Sequence, residues 1–334
     1  MVSDVIERAP ARPVWEDQSC ELLPEGAPVT RRGLLRFGLM SVVWGIPYFF
    51  IRIAVGEMTP ATLVFGRTAI GAAILLPIAL LRVDLRPVLA RWRWVVAFAA
   101  VEIAGPWVLL ASAEQHISSS LAGLLIAGVP LVESAIALGT GGADRLGRRG
   151  MFGLLVGLVG VVAIVGGDFE ASDATALMAI ALVVVGYALG PAILSRRLAG
   201  VSSVGVMALS LALCAVVYAP IAAVQRPAVM PSANALASIA ILGIVCTAAA
   251  FLMFAALIEE IGPVRATIIT YVNPAVAALL GVAVLGETFS VPMAVGFGLV
   301  IVGSTLAART SPAGPPQRDP PALEVPRPAA ARGR

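Results

Sequence analysis

The stretch Trp44-Gly45-Ile46-Pro47 has a counterpart about 143 residues later, Tyr187-Ala188-Leu189-Gly190-Pro191. In each copy an aromatic residue precedes a glycine and a proline inside a long apolar segment, where proline interrupts helix hydrogen bonding. The same spacing relates three further pairs: Pro77 and Pro220, Gly153 and Gly296, and Gly160 and Gly303. Each copy holds five apolar segments. Because five is odd, two fused copies must cross a bilayer in opposite senses, which is the inverted-repeat architecture of many secondary transporters.

The composition predicts a polytopic membrane protein. Of the 334 residues, 59% are hydrophobic and 13% are charged, and the mean hydropathy is +0.94, which is too apolar for a soluble globule. A helix needs about 20 apolar residues to cross the hydrocarbon core. Ten runs meet this requirement: 34–55, 61–81, 94–114, 119–138, 150–167, 174–195, 203–224, 236–258, 264–285 and 290–308. We therefore predict an all-α membrane protein with ten transmembrane helices in two inverted five-helix repeats.

The flanks and loops predict the domain limits and the orientation. The predicted parts are an N-terminal tail over 1–33, repeats over 34–167 and 174–308, and a disordered Pro/Arg-rich tail over 309–334. All 23 positive residues are arginine, and they gather before the first span and in alternate loops. By the positive-inside rule both termini are cytoplasmic. The N-terminal tail has no apolar core, so we expect no cleaved signal sequence. The absence of lysine indicates GC-rich coding, which favours a multi-pass protein of a bacterial plasma (inner) membrane.

Several classes of function find no support in the residues. The arginines are dispersed along membrane edges, so the net charge of +3 does not predict nucleic-acid binding. Cys20, Cys214, Cys246 and the single His116 have neither disulfide nor metal-ligand spacing. The run Gly139-Thr140-Gly141-Gly142 lacks the Gly-Lys-Ser/Thr ending of a phosphate-binding loop. We expect no metal, no nucleotide and no other cofactor.

Ionisable residues inside the spans are candidates for function, because each is costly in the membrane unless paired or hydrated. Glu102 and Glu133 both fall near mid-membrane depth, where a carboxyl that takes up and releases a proton would couple transport to protons. The alternative is a structural role as an interhelical hydrogen bond or a salt bridge to Arg67. Arg67 can pair with Glu102 or Glu114, or attract an anionic substrate. Arg52, at the outer end of the first span, can snorkel to the headgroups.

Aromatic and polar residues near the helix breaks predict the substrate site. Breaks at matching positions of two repeats point to a cavity, since unpaired backbone groups are tolerated only where they face protein or water. Besides Arg67, the predicted substrate-binding residues are Trp44, Tyr48, Trp107, Tyr187, Tyr271 and Asn273. An aromatic wall suits a substrate with an apolar part and a polar end. The alternatives are helix packing or interface anchoring for the aromatics, and satisfaction of the helix beside Pro274 for Tyr271 and Asn273.

Small residues form faces on the fifth and tenth spans. The glycines concerned are Gly153, Gly157, Gly160, Gly296, Gly298 and Gly303. Such faces let helices approach closely, either within one protomer or between the protomers of a homodimer. We interpret them as packing signals.

Several motifs resemble those of a known family. In the second half they are Ile261-Gly262-Pro263-Val264-Arg265-Ala266, Tyr271-Val272-Asn273-Pro274-Ala275, Leu285-Gly286-Glu287 and the stretch from Gly296 to Gly303. The first half agrees through Trp44-Gly45, Arg67 and Pro130. Over roughly 34–308 the chain is similar to the drug/metabolite transporter superfamily, EamA type. The first copy departs from the family pattern, because it has Asp144 where members usually have a Gly-Glu pair.

The resemblance implies a ten-helix carrier with two inverted halves that moves small metabolites or drugs by alternating access, often outward and often coupled to protons. We therefore expect a secondary transporter that exports an amino-acid-like or amphipathic metabolite or a drug. An importer on the same fold is the first alternative, since sequence does not set the direction of a gradient-driven exchange. A membrane-embedded enzyme with Glu102 and Glu133 as acid and base is the second. The repeat favours transport, because alternating access uses two inverted halves and a catalytic site does not need them.

Overall fold

The computed structural model describes residues 31–139, 148–166, 174–261 and 269–308, and the secondary structure of these residues is helical with no strand among them. Four features named from the sequence fall outside the described residues: the N-terminal tail before Arg31, the turn at Asp144, Arg265 and the C-terminal tail. The all-α prediction is confirmed for the described part of the chain.

The chain folds into α-helices and two short π-helical segments, numbered here in chain order. The α-helices are α1 (Arg31–Gly45), α2 (Pro47–Val55), α3 (Pro60–Arg82), α4 (Arg86–Ala90), α5 (Trp92–Phe98), α6 (Gly105–Ala113), α7 (Ser119–Ile126), α8 (Val129–Gly139), α9 (Arg148–Gly166), α10 (Ala174–Arg197), α11 (Ser203–Val224), α12 (Ala233–Gly243), α13 (Ala250–Ile261), α14 (Ile269–Leu285) and α15 (Val291–Ala308). The first π segment (Ala99–Ala104) joins α5 to α6, and the second (Ile244–Ala249) joins α12 to α13.

The helices are long and apolar enough to make this a multi-pass membrane protein. Within the described residues, eight stretches have the length and composition to cross a membrane. The two C-terminal helices, α14 and α15, are apolar but shorter than these eight. They coincide with the last two of the ten predicted spans.

Helix starts are specified by short polar residues. Thr59, Ser118, Ser202 and Ser232 stand before α3, α7, α11 and α12. Each side-chain oxygen accepts a hydrogen bond from the backbone N–H three residues on, which satisfies a donor that the helix leaves free. Thr59 and Ser202 occupy matching positions of the two repeats, so the repeat extends to the helix caps.

The two proline positions that the repeat aligns have different structures. At Pro47 the chain changes from α1 to α2, with Ile46 between them, as the sequence predicts. Pro191 instead lies inside the continuous helix α10, so the predicted second break is wrong. The irregular backbone of this region lies elsewhere, in the two π segments, which begin at nearly matching positions of the two repeats. In the first of them the N–H of Gly105 bonds to the carbonyl of Ala100, five residues back.

The bundle is held together by pairs of helices that pack along much of their length. The most extensive pairs are α9 with α15 and α3 with α11, and the members of each pair begin at matching positions of the two repeats. Further pairs are α6 with α10, α7 with α14 and α2 with α12. Apolar side chains from most of these helices form one large core, and a smaller apolar cluster joins α1, α13 and α14.

The pair α9 and α15 depends on glycine. A Cβ atom on Gly153 would lie 2.7 Å from the carbonyl oxygen of Gly303, and one on Gly160 would lie 2.6 Å from that of Gly296. Real Cβ atoms do not approach backbone this closely, so the helices pack as they do only because these side chains are absent. The structure thus uses these glycines for packing within one chain. Gly298 differs, since a Cβ atom there would meet nothing within 4 Å.

We expect Gly160→Ala to destabilise the protein by about 1–3 kcal/mol, because the added methyl forces two backbones apart. Gly298→Ala is the matched control on the partner helix and should leave stability unchanged or slightly raised. Thermal unfolding in detergent, followed by size-exclusion recovery after heating, measures both. Equal losses in the two variants would contradict the packing role of Gly160.

Candidate functional site

Arg67 lies well inside α3 and is buried, with 7% of its surface exposed. Its Nε donates a hydrogen bond of 3.0 Å to Oγ1 of Thr247, which lies in the second π segment. Its guanidinium carbon lies 3.6 Å from the ring centroid of Trp107 on α6. A desolvated guanidinium over an indole face gains about 2 kcal/mol or more. These two contacts fix the side chain. The hydrogen bond to Thr247 uses Nε, so Nη1 and Nη2 take no part in it.

Two tyrosines complete the surroundings of Arg67. Tyr48 on α2 is buried, and Tyr187 on α10 is partly buried and lies within hydrogen-bonding reach of Trp107. Both tyrosines are close enough to Arg67 to interact with its charge. We call Tyr48, Arg67, Trp107, Tyr187 and Thr247 the arginine cluster. The first four were proposed from sequence as substrate-binding residues, and the structure brings them together from four helices.

Arg67 has no acidic partner among the described residues. Within that part of the chain the ion pair found is between Arg36 and Glu260, at 2.6 Å, and it joins α1 to α13. The sequence left pairing with Glu102 or Glu114 open, and the structure shows neither pair. The hydrogen bond to Thr247 uses Nε, and no carboxylate among the described residues bonds to Nη1 or Nη2 of Arg67.

Arg52 does not behave as an arginine that snorkels to the headgroups. Its Nη1 donates a hydrogen bond to the backbone carbonyl of Glu114, at the end of α6. The side chain is partly buried, and it ties α2 to the turn between α6 and α7. We call the end of the bundle that contains this turn, residues 114–118, the α6–α7 end.

Glu102 and Glu133 form a second group of polar residues. Glu102 lies in the first π segment with its carboxyl over Gly190, where any Cβ atom would collide with it. Its Oε2 is buried and has no hydrogen-bond partner among the described residues. Glu133 on α8 is exposed and close enough to interact with the charge of Glu102. Tyr271 on α14 interacts with Glu133 in the same way.

Trp44 and Asn273 lie outside both groups. The Trp44 ring packs on Phe254, at 4.6 Å between centroids, and on Phe251, at 6.1 Å, both on α13. Asn273, with its NH2 group facing two carbonyls, donates to Ile269 and to Ser41 at 3.0 Å each. The Trp44 contacts are those of the helix-packing alternative, and the bond from Asn273 to the carbonyl of Ile269, one turn earlier in α14, is that of the alternative in which Asn273 satisfies the helix beside Pro274.

Sequence reasoning missed a carboxylate contact at the α6–α7 end. The carboxylate of Glu287 accepts four hydrogen bonds of 2.6–2.9 Å, from the backbone N–H and the hydroxyl of both Ser119 and Ser120. It thereby caps the N-terminus of α7 from the turn between α14 and α15. Two glycines allow this. Gly286 has φ +68°, which turns the chain after α14, and Gly281 leaves room where a Cβ atom would hit both Glu287 and Ser120.

Glu287 is half-buried, which by itself would raise the pKa of its carboxyl. The four hydrogen bonds from Ser119 and Ser120 outweigh this effect, and the pKa of Glu287 lies below its usual value. The carboxylate is therefore charged at neutral pH. A cleft of about 380 Å³ opens beside it, lined by Arg52, His116, Ile117, Ser118, Leu285, Glu287 and Thr288. This cleft lies at the α6–α7 end and not at the arginine cluster.

A model of the EamA-like transporter family matches residues 31–166 and, a second time, residues 174–309. The chain belongs to the EamA-like transporter family. It is 27% identical over 275 residues to the "Uncharacterized inner membrane transporter YedA" of Escherichia coli strain K12, which covers 80% of this chain and 87% of that protein. The protein of the same name from Escherichia coli O157:H7 gives the same values.

A solved structure described as "Crystal structure of protein" shares the fold of this EamA-like chain. The TM-score is 0.60 at 23% identity, and the match covers 83% of this chain and 96% of that one. Membership of the EamA family places the chain in the drug/metabolite transporter superfamily, as its motifs indicate. It makes the protein a transporter and sets aside the alternative of an enzyme that uses Glu102 and Glu133 as acid and base.

We expect Glu287→Gln to lower the stability of this EamA-like protein by about 1.5–3 kcal/mol, because hydrogen bonds to a charged acceptor become bonds to a neutral amide. Since the pKa of Glu287 is lower in the folded state, its contribution is present above the usual carboxyl pKa and disappears as the pH falls through the folded value. Thermal unfolding at neutral and at acidic pH measures this, with Thr288→Ala as the control at the exposed neighbour. A difference between wild type and Glu287→Gln that stays constant down to strongly acidic pH would contradict it.

Proposed function

We propose that this protein is a secondary carrier that exports a small metabolite with a carboxylate and an apolar part, such as an amino-acid-like compound, by alternating access. The observation that carries the proposal is the buried guanidinium of Arg67, which has no acidic partner among the described residues and is fixed over Trp107. An unpaired buried cation is costly, and an incoming anionic group would offset that cost. An amphipathic drug with an acidic group is compatible with the same site.

The arginine cluster suits a substrate of this kind. Arg67 presents planar donors that match the two oxygens of a carboxylate. Tyr48, Trp107 and Tyr187 offer apolar ring faces with polar tips, which suit a substrate that is apolar at one end and hydrogen-bonding at the other. The residues come from α2, α3, α6 and α10, so relative motion of these helices would alter the site.

The architecture we propose is ten membrane spans in two inverted halves, with repeats over 34–167 and 174–308 and both termini in the cytoplasm of a bacterial cell. Two observations support it. The family model matches the chain twice with nearly equal lengths. Helices that begin at matching positions of the two repeats pack against each other, as α3 with α11 and α9 with α15, which is expected when a two-fold axis relates the halves.

In that orientation the α6–α7 end faces outward. The contacts from Arg52 to the Glu114 carbonyl and from Glu287 to Ser119 and Ser120 join helices at this end, the second of them across the two halves. We propose that they hold the outer side closed in the state described. Export requires them to break, so that the arginine cluster opens outward.

We further propose that Glu102 and Glu133 couple export to proton entry. The buried Oε2 of Glu102 has no hydrogen-bond partner among the described residues. A proton on this oxygen would turn it from an acceptor into a hydrogen-bond donor. Its carboxyl lies over Gly190 on α10, and Tyr187 lies one turn earlier on that helix. A change in the charge of Glu102 would thus act on a helix that forms the substrate site.

The substrate role of Arg67 is tested by exchange of radiolabelled amino acids in proteoliposomes. Arg67→Met removes the charge and keeps much of the volume, and we expect transport to fall about 10–100-fold, the equivalent of one hydrogen-bonded charge contact. Arg82→Met is the control, since Arg82 is exposed at the end of α3. Substrates whose carboxylate is replaced by an amide should lose transport in the wild type. If Arg67→Met exchanges every accepted compound at the wild-type rate, the site is wrong.

The coupling role is tested in the same liposomes with a pH-sensitive dye inside. Glu102→Gln should abolish substrate-dependent proton movement, whereas Glu57→Gln, at an exposed acid, should retain it. Glu133→Gln is expected to reduce proton movement as well. Unchanged coupled flux in both Glu102→Gln and Glu133→Gln would exclude these carboxyls from coupling.

A further inference from the structure

The side chain of Glu114 is fully buried and unsatisfied. Its exposed fraction is 0%, and neither carboxyl oxygen accepts a hydrogen bond from any described residue. Its backbone is engaged instead, since the N–H donates to the carbonyl of Leu110 and the carbonyl accepts a hydrogen bond from Arg52. Buried carboxylates are normally paired or accept several hydrogen bonds, and an unsatisfied one is strongly disfavoured in its charged form. The packing of the α6–α7 end thus offers this carboxyl no hydrogen-bond donor among the described residues.

Glu114 stands between two polar regions. On one side lies the cleft at the α6–α7 end, to which Arg52, His116 and Glu287 contribute. On the other side lies the arginine cluster, whose members Tyr48 and Arg67 are close enough to interact with the charge of Glu114. Glu114 thus lies near both the cleft and the arginine cluster.

The charged and titratable groups near Glu114 come from several elements. They are Arg52 and Tyr48 on α2, Arg67 on α3, Tyr187 on α10, Glu287 after α14, and His116 in its own turn. The charged form of the carboxyl is disfavoured by burial without a hydrogen-bond donor and by the nearby carboxylate of Glu287, whereas the guanidinium groups of Arg52 and Arg67 favour it. The enclosed geometry, with no donor to either oxygen among the described residues, favours the neutral carboxyl.

We propose that Glu114 is a proton-binding site at the outer end of the transport path and that its protonation is required for the outer side to close. When this side opens, water reaches the carboxyl through the cleft and it releases its proton to the outside. When this side closes, the carboxyl must first take up a proton from outside water, because neither of its oxygens has a hydrogen-bond donor among the described residues in the closed packing. The proposal rests on the alternating-access function proposed above, and it adds a site distinct from Glu102 and Glu133.

The sign of the pH dependence follows directly. The closed state binds one more proton at Glu114 than the open state does, so acidic medium favours closing and alkaline medium favours opening. Lower pH outside the cell would therefore speed the closing step of each export cycle.

A distance measurement across the cleft tests the proposal without any substrate. Spin labels are placed on Gln115→Cys and Thr288→Cys, with Cys20, Cys214 and Cys246 replaced by Ala. Pulsed electron paramagnetic resonance in lipid nanodiscs then gives the closed fraction as a function of pH. In the otherwise wild-type protein we expect the closed fraction to rise as the pH falls.

The variants assign that pH dependence to one residue. Glu114→Gln is permanently neutral and should stay closed at every pH, with the pH dependence lost. Asp84→Asn, the corresponding acid-to-amide change at an exposed position between α3 and α4, should behave like wild type. A pH-dependent closed fraction in Glu114→Gln equal to that of wild type would overturn the proposal, and so would a closed fraction in the wild type that does not change with pH.

A second readout serves if Glu114→Gln does not fold. Glu114→Asp keeps a titratable carboxyl at this position. If that carboxyl is protonated at neutral pH, it gives an infrared carbonyl band, and this band should differ in position between wild type and Glu114→Asp. Identical spectra would contradict the proposal. Because neither measurement involves transport, loss of amino-acid exchange in every assay would overturn the proposed substrate and leave the result for Glu114 intact.

Discussion

The structure depends on how a positive charge is accommodated inside an apolar helix bundle. Arg67 lies well inside α3 and is buried, so water gives its charge little solvation. Its charge is met by an indole face, a threonine hydroxyl and two tyrosines, which come from α2, α6, α10 and the second π segment. Each of these elements therefore has to be positioned around one side chain. Arg67 has no acidic partner among the described residues, and under the proposed function a transported anion would take that place.

The two π segments place chemistry beside this charge. In a π segment the backbone hydrogen bonds span five residues instead of four. Some backbone groups and side chains therefore take positions that they would not take in a regular α-helix. In the first, Glu102 faces Gly190 across a gap where no side chain fits; in the second, Thr247 bonds both to Arg67 and to the carbonyl of Leu242. The segments begin at nearly matching positions of the two repeats, yet they carry different side chains. Both halves therefore contain a π segment, whereas the polar side chains on the two segments differ.

The prolines and glycines show why local sequence stops short of the structure. Pro47 and Pro191 occur in similar local sequence, yet Pro47 separates two helices and Pro191 lies inside a continuous helix. Trp44 and Tyr187 align in the repeat, yet Trp44 packs on α13 and Tyr187 lies near Arg67. Sequence could identify Tyr48, Arg67, Trp107 and Tyr187 as candidates, since polar and aromatic groups inside apolar segments are conspicuous. It could not identify Glu287 or Glu114 as buried or partnered, because burial is a property of the assembled helices.

The sequence by itself determined the class of protein, most of the apolar helices, the repeat and the family. These follow from local quantities: hydrophobic length, periodic glycine and proline, and motif spacing, none of which requires knowledge of contacts. Only the tertiary structure decided which charged groups have partners. It engaged Arg52 with a carbonyl and Glu287 with two serines, left Arg67 without an acid among the described residues, and buried Glu114 with both oxygens unsatisfied. The physical reason is that a charge in an apolar medium is governed by the few atoms around it, and those atoms come from helices far apart in the chain.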